Sequence, residues 1–364
     1  MATSSLLSDS TFLSTSVSTI ADATTEFAAG RGYLSACTLG LPTRGTVAAI
    51  TADTATWAAG QASAAGYGAT AERARAAYAG IVGVDVDRVA IGSQTSVMAG
   101  MIASSVPDGA EVLCVDGDFS SIVFPFLAQS HRGVTVRHVP LHALAENITG
   151  STWLVAFSLV QSATGAIAEA DDIVSAARTH GTHTFCDTTQ AVGWLPVDAS
   201  RFDATACHAY KWLCSPRGAA FLTVSEDFAP LLRPVQAGWY AGDDPWGSCY
   251  GPAMNLATDA RRFDVSPAWQ AWVGAAAALD FFAQLDIVAV REHNVGLGNA
   301  LSDGLGLDRR NQAIVTWPDV DGSAFARISA AGIIASSRAG RARAAFHLWN
   351  DEEDVDLLLA ALRR

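Results

Sequence analysis

Between residues 88 and 224 the chain breaks repeatedly into short apolar, β-branched runs with helical stretches between them. That alternation restricts the fold more than any other feature of the sequence. The runs fall at 88–91, 111–115, 134–139, 153–157, 183–186, 204–206 and 219–224, and helical patterns such as 72–81, 96–104 and 171–179 stand beside and between them. Runs this short and continuously apolar suit strands covered on both faces, and strands recurring with helices between them build βαβ units. The expected fold is therefore α/β, a mostly parallel sheet covered by helices.

Beyond this region the texture changes. Segment 237–252 holds four Gly, two Pro, two Trp and two Tyr, and reads as a connection over a site rather than core. Ala-rich helical stretches follow at 267–284 and 288–301. A βαββ-like tail then runs through 313–317, 323–331, 333–336 and 343–349 to a last helix starting at Asp351. The Ser/Thr-rich residues 4–27 read as a frayed arm leading into a helix. The expected organisation is an N-terminal arm (1–30), a large α/β domain (31–252) and a smaller α+β C-terminal domain (253–364).

Composition narrows the partners. Half of the 364 residues are hydrophobic and 16% are charged, enough for a large core. The formal charge of −13 repels phosphate backbones and anionic lipid, so the expected partner is a small molecule, with no nucleic acid and no membrane. Residues 1–27 lack a basic n-region, and no run of 18 apolar residues occurs, which gives the expectation of a cytoplasmic protein. The six cysteines form no CxxC pair, so neither a metal cage nor a disulfide framework is expected.

Of the 23 basic residues, 22 are arginine and one, Lys211, is lysine. Arginine cannot release its proton in a protein, whereas a lysine amine can be tuned toward neutrality and attack an aldehyde. By position alone, an Arg-biased composition that left one lysine explains this equally well. Asp187 closes a predicted strand, and Lys211 follows a later one. Ligands bind at the carboxyl ends of strands in open α/β sheets, so the two side chains are expected to face one crevice.

The pattern D-x-x-Q-x-x-G (Asp187, Gln190, Gly193) and the run YKWLxxPRGxxFL from Tyr210 to Leu222 resemble the class V group of fold-type I pyridoxal-phosphate enzymes. That group includes cysteine desulfurases, selenocysteine lyases, kynureninase and isopenicillin N epimerase. The resemblance runs from about Tyr33 to the C-terminus and leans to the epimerase-like subgroup, in which Tyr precedes the lysine. It implies a fold-type I architecture and pyridoxal 5'-phosphate as cofactor. Lys211 would hold the cofactor and move protons as base and acid, and Asp187 would pair with its pyridine nitrogen.

The same resemblance implies cofactor contacts from Gln190, from the small polar turn Ser93, Gln94 and Thr95 toward the phosphate, and from Phe119 against the ring. His208 stands where relatives carry a phosphate-contacting Ser. Gln161 and Ser162 occupy the stretch near the ring hydroxyl, where Asn is usual. The tail 343–356 resembles the closing motif whose arginine grips a substrate carboxylate, which gives Arg343 that role, with Arg338 and Arg341 close in sequence. Ser266, in ARRFDVSPAW, matches a segment that reaches the neighbouring subunit's cofactor and so implies a homodimer. Cys37 lies in a region that approaches the substrate in relatives. Taken without the resemblance, 91–100 is an ordinary helix start, Phe119 and Cys37 are core residues, and His208 is a strand-end histidine.

No cysteine lies between 333 and 343, which argues against persulfide-forming desulfuration. The implied activity is aminotransferase-like chemistry on a small amino acid through α-proton abstraction, either transamination or carbon–sulfur β-elimination. Amino-acid epimerisation or racemisation, and cofactor binding without turnover, stay open as alternatives. A nucleotide-binding dehydrogenase is set aside, because no GxGxxG follows a first strand.

Overall fold

The computed structural model describes residues 19–363, so the expected arm before residue 19 lies outside the described residues. The helices are α1 (Ile20–Thr25), α2 (Arg44–Ala58), α3 (Ala64–Ile81), α4 (Thr95–Ser105), α5 (Ser120–Leu127), α6 (Ala170–His180), α7 (Trp269–Phe282), α8 (Ile287–Gly304), α9 (Ser323–Ala330) and α10 (Glu352–Leu362). The strands of the main sheet are β1 (Val89–Gly92), β2 (Glu111–Val115), β3 (Thr135–Val139), β4 (Thr152–Ser158), β5 (His183–Asp187), β6 (Ala204–His208) and β7 (Ala220–Val224). A small sheet contains β8 (Ile314–Pro318), β9 (Ser336–Arg338) and β10 (Arg341–Ala345).

The seven-stranded sheet has the order β1-β7-β6-β5-β4-β2-β3. Strands β2 to β6 run parallel, and β7 is antiparallel to both β6 and β1. The expected mostly parallel sheet is thus present. Both of its faces are buried along six of the strands, as the continuously apolar runs require, while edge strand β3 is partly exposed. Along β2, Leu113 and Val115 enter one apolar cluster with α3, α6 and α7, while Val112 and Cys114 enter the other with α4 and α5. A third cluster, with Leu297, Leu301, Val315, Trp317, Phe346 and Leu358, fills the space between the small sheet and helices α8 and α10. Among the described residues, no single helix is long and apolar enough to cross a membrane.

The tail differs in register from the sequence expectation. Ala339 and Gly340 both take positive φ (50° and 69°), forming a two-residue turn that pairs Arg338 with Arg341. This is the turn class that fits strand twist in a tight hairpin, and it fixes β9 and β10 at 336–338 and 341–345 rather than 333–336 and 343–349. The preceding extended residues pair instead with the N-terminal segment: Leu34 N–H donates to Ile334 O (2.7 Å), and Ile334 N–H to Gly32 O (2.8 Å). The last helix begins where expected. Asp351 caps the backbone N–H groups of Glu353 and Asp354, and the Asp354 carboxylate accepts from Asp351 N–H.

Candidate active site

The carboxyl ends of β4, β5 and β6, the turn after β1 and one strand of the small sheet converge on Lys211. The sequence there forces close packing. Gly40 N–H donates to Tyr210 O (3.0 Å), and a Cβ on Gly40 would stand 2.0 Å from Lys211 O. Gly193 has φ +110°, and a Cβ there would stand 2.4 Å from Trp212 O. The glycine of the D-x-x-Q-x-x-G pattern is therefore required by the backbone that carries the lysine.

Lys211 is only 5% exposed, and its Nζ lies 5.5 Å from the ring centroids of both Phe119 and Tyr210. It makes no ion pair among the described residues. Burial pulls its pKa down to about 8, with the Asp187 charge opposing the fall and the Arg343 charge adding to it. Asp187 ends β5 and is buried. Its Oδ1 accepts from Thr189 N–H (2.9 Å), and it too makes no ion pair among the described residues. Burial raises its pKa, while Thr189 and the Lys211 charge hold it down.

Gln190 is a strut. Its Nε2 donates to Cys37 O (3.0 Å) and Ser162 Oγ (3.2 Å), and its Oε1 accepts from Trp212 Nε1 (2.8 Å). Cys37 is buried, and the adjacent Thr38 takes part in holding Arg343.

Gln94 occupies the N-cap of α4 without a side-chain cap, so the first-turn N–H groups face the crevice end of β1. Ser93 is half-buried and Gln94 exposed. Thr95 Oγ1 lies 3.2 Å from Thr189 Oγ1, which also accepts from His208 N–H (3.0 Å). Thus α4, β5 and β6 meet at three predicted or adjacent residues. His208 Nε2 accepts from Gly218 N–H at 3.4 Å, which leaves the ring proton on Nδ1. Burial, with the charges of Arg217 and Lys211, lowers its pKa to about 3, so the ring is neutral.

Phe119 is 42% exposed beside the buried amine. It is set by a residue the sequence reading missed. Asp118 accepts from Phe119 N–H (2.7 Å), Ser158 N–H (2.8 Å), Ser158 Oγ (2.6 Å) and Gln161 Nε2 (3.2 Å), tying the β2 turn to the end of β4. Gln161 therefore spends its amide N–H groups on Asp118 and Ser158 O. Ser162 Oγ accepts from both Gln190 and Arg343.

Arg343 is 1% exposed on β10. Nε donates to Ser336 Oγ (2.9 Å), Nη2 to Thr38 Oγ1 (3.0 Å), and Nη1 to Ser162 O and Oγ, yet no carboxylate pairs with it among the described residues. The neighbouring arginines go elsewhere: Arg341 binds Thr316, and Arg338 is exposed. Ser336 and Thr38 were also missed, since small hydroxyls carry no sequence signal of their own. Ser266 is exposed, just after Val265, whose N–H donates to Ile91 O (3.2 Å). The aromatic segment 237–252 is anchored to α3, with Tyr240 Oη donating to Glu72 (3.2 Å).

Comparison with known proteins gives a consistent picture. Residues 64–316 match the family described as aminotransferase class-V. The uncharacterized aminotransferase YcbU of Bacillus subtilis is 28% identical over 234 residues, covering 61% of this chain and 61% of that protein. Isopenicillin N epimerase of Amycolatopsis lactamdurans is 31% identical over 247 residues, covering 60% of this chain and 61% of that protein. The chain thus spans about three fifths of the length of these curated relatives. The cystine C-S lyase C-DES, solved with its reaction product cysteine persulfide, superposes with a TM-score of 0.83 over 92% of this chain and 97% of that one, at 22% identity. At that identity the likeness is one of fold, and it bears out the fold-type I arrangement expected from the sequence.

Proposed function

The chain belongs to the aminotransferase class-V family, and from that membership we propose that it is a pyridoxal-phosphate enzyme acting on a small amino acid. One observation carries the reading. Lys211, Asp187 and Arg343 are each at most 5% exposed, and none forms an ion pair among the described residues. A buried charge with no counter-charge in contact is costly, and Lys211 and Asp187 act on each other only at a distance, so three such groups around one crevice point to a ligand that complements all three. Pyridoxal phosphate fits two of them and an amino-acid carboxylate the third.

When bound, pyridoxal phosphate supplies an aldehyde and an electron-withdrawing pyridine ring. Lys211 would hold it through the Nζ amine, which a pKa of about 8 leaves partly neutral near physiological pH. Asp187 would keep a proton on the pyridine nitrogen. Phe119 would cover one ring face. The α4 N–H groups, Thr95, Thr189 and the neutral His208 Nδ1–H are the donors available to the phosphate. Arg343 would grip the substrate carboxylate with its guanidinium fork, placing the α-carbon where Lys211 Nζ removes its proton.

Transamination or carbon–sulfur β-elimination follows from that proton removal, and epimerisation needs in addition a group that returns the proton on the other face. The exposed position of Ser266 suits the homodimer the resemblance implies, in which it would reach the partner's cofactor. Six free thiols among the described residues support a reducing, cytoplasmic setting. The test is to mix the cofactor-loaded protein with a panel of amino acids while following keto acid, sulfide, ammonia and α-proton exchange together. A yellow protein whose spectrum ignores every amine would be a binder and not an enzyme.

A further inference from the structure

A closed circuit of hydrogen bonds surrounds the turn that carries Lys211. Arg343 Nη1 donates to Ser162 Oγ (3.2 Å), and Gln190 Nε2 donates to the same hydroxyl (3.2 Å). Trp212 Nε1 donates to Gln190 Oε1 (2.8 Å), and Trp212 O accepts from His347 Nε2 (2.8 Å). His347 stands four residues after Arg343, so the backbone closes the ring. Within the turn, three consecutive carbonyls are taken: Tyr210 O by Gly40 N–H (3.0 Å), Lys211 O by Cys214 N–H (3.1 Å), and Trp212 O by His347. Only the last of these donors is a side chain.

The histidine is fixed in one tautomer. A carbonyl can only accept, so Nε2 carries the proton, and Nδ1 then accepts from Asn294 Nδ2 (3.3 Å) on α8. His347 is fully buried, and its pKa is lowered to about 3, so this donation persists across ordinary pH. Gly193 abuts the same Trp212 carbonyl. If the histidine donor were lost, the buried carbonyl would keep only the weak Cys214 Sγ–H donor at 3.9 Å, and it would gain a stronger partner only by movement of the backbone next to Lys211.

We propose that His347 is a positioning residue that fixes the Lys211 amine relative to the Arg343 guanidinium through the Trp212 carbonyl. The inference rests on the reading of Lys211 as the cofactor-holding base. Arg343 keeps its own three hydroxyl partners, so the defect should fall on proton transfer and not on carboxylate binding.

The experiment compares wild type, His347→Leu and His347→Gln as full chains loaded with pyridoxal phosphate. The first readout is the pH midpoint of the visible cofactor band. Asp187, Arg343, Cys37 and Cys207 act electrostatically on Lys211, so movement of Nζ among them changes that midpoint. The second is α-proton exchange across a panel of L-amino acids in deuterium oxide. His347→Leu is expected to move the midpoint by about 0.5 pH unit or more and to lower exchange turnover about ten-fold or more, with less than about a two-fold change in half-saturation. His347→Gln, whose Nε2 reaches the same carbonyl, should restore both. If the leucine variant does not fold, His347→Asn, too short to reach Trp212 O, replaces it. Unchanged midpoint and exchange in a folded Leu or Asn variant, or failure of Gln to restore them, overturns the assignment. A wild type without any visible band overturns instead the pyridoxal-phosphate reading itself.

Discussion

Arg343 and Thr38 stand 305 positions apart in sequence and meet through a 3.0 Å hydrogen bond from Nη2 to Oγ1. The contact holds at the crevice wall a buried guanidinium that has no carboxylate partner among the described residues. Arg343→Ala should raise the half-saturating amino-acid concentration roughly 10–100-fold, the equivalent of about 1.5–3 kcal/mol for hydrogen bonds to a charged group. Arg343→Lys should not restore it, because an ammonium lacks the fork. Steady-state kinetics on the best panel substrate checks this, and an unchanged concentration dependence would place the carboxylate elsewhere.

Lys211→Met should stabilise the cofactor-free protein. Burial lowers the lysine from 10.5 to about 8, so at pH 7 the folded chain bears a buried ammonium at a cost of about 3 kcal/mol. The cost is full below pH 8 and fades as pH rises toward 10.5, because the unfolded chain alone then holds the proton. Urea unfolding at pH 7 and pH 10 should show a gain at the lower pH that shrinks at the higher. Equal gains at both would show that the amine is not perturbed.

The rate at which cofactor-free protein takes up pyridoxal phosphate should climb with pH and level off above about 8, where Lys211 is neutral. Stopped-flow absorbance follows this directly. A flat profile through pH 8 would remove the amine from the rate-determining encounter.

Gly193→Ala should cost about 1–3 kcal/mol in stability, since its Cβ would press on a backbone oxygen at 2.4 Å that cannot swing aside, at a φ of +110°. Denaturant titration measures the loss. Wild-type stability in this variant would mean that the Trp212 turn yields freely.

The strands were legible in the sequence because burial on both faces leaves little room for polar residues, and β2 matches its apolar run end to end. Helix α2 was not read, since its Thr- and Ala-rich face has only one buried residue, Thr46. Helix α5 was also missed, being apolar and interrupted by Pro125. The shifted β9 and β10 depend on Ala339 adopting a conformation its residue type disfavours. In the site, Lys211 could be named because it is the single lysine of the chain, whereas Asp187 and Arg343, among 36 acids and 22 arginines, could be named only from the motifs of the resemblance. Asp118, Thr189, Ser336, Thr38 and His347 could not, because each acts by where the fold brings it and not by what surrounds it in sequence.

The most direct measurement is borohydride reduction of the pyridoxal-phosphate-loaded protein, followed by peptide mass spectrometry. The account requires the phosphopyridoxyl mass on Lys211, the single lysine of the chain. A label found only on the N-terminal amine, or on no peptide at all, would contradict it.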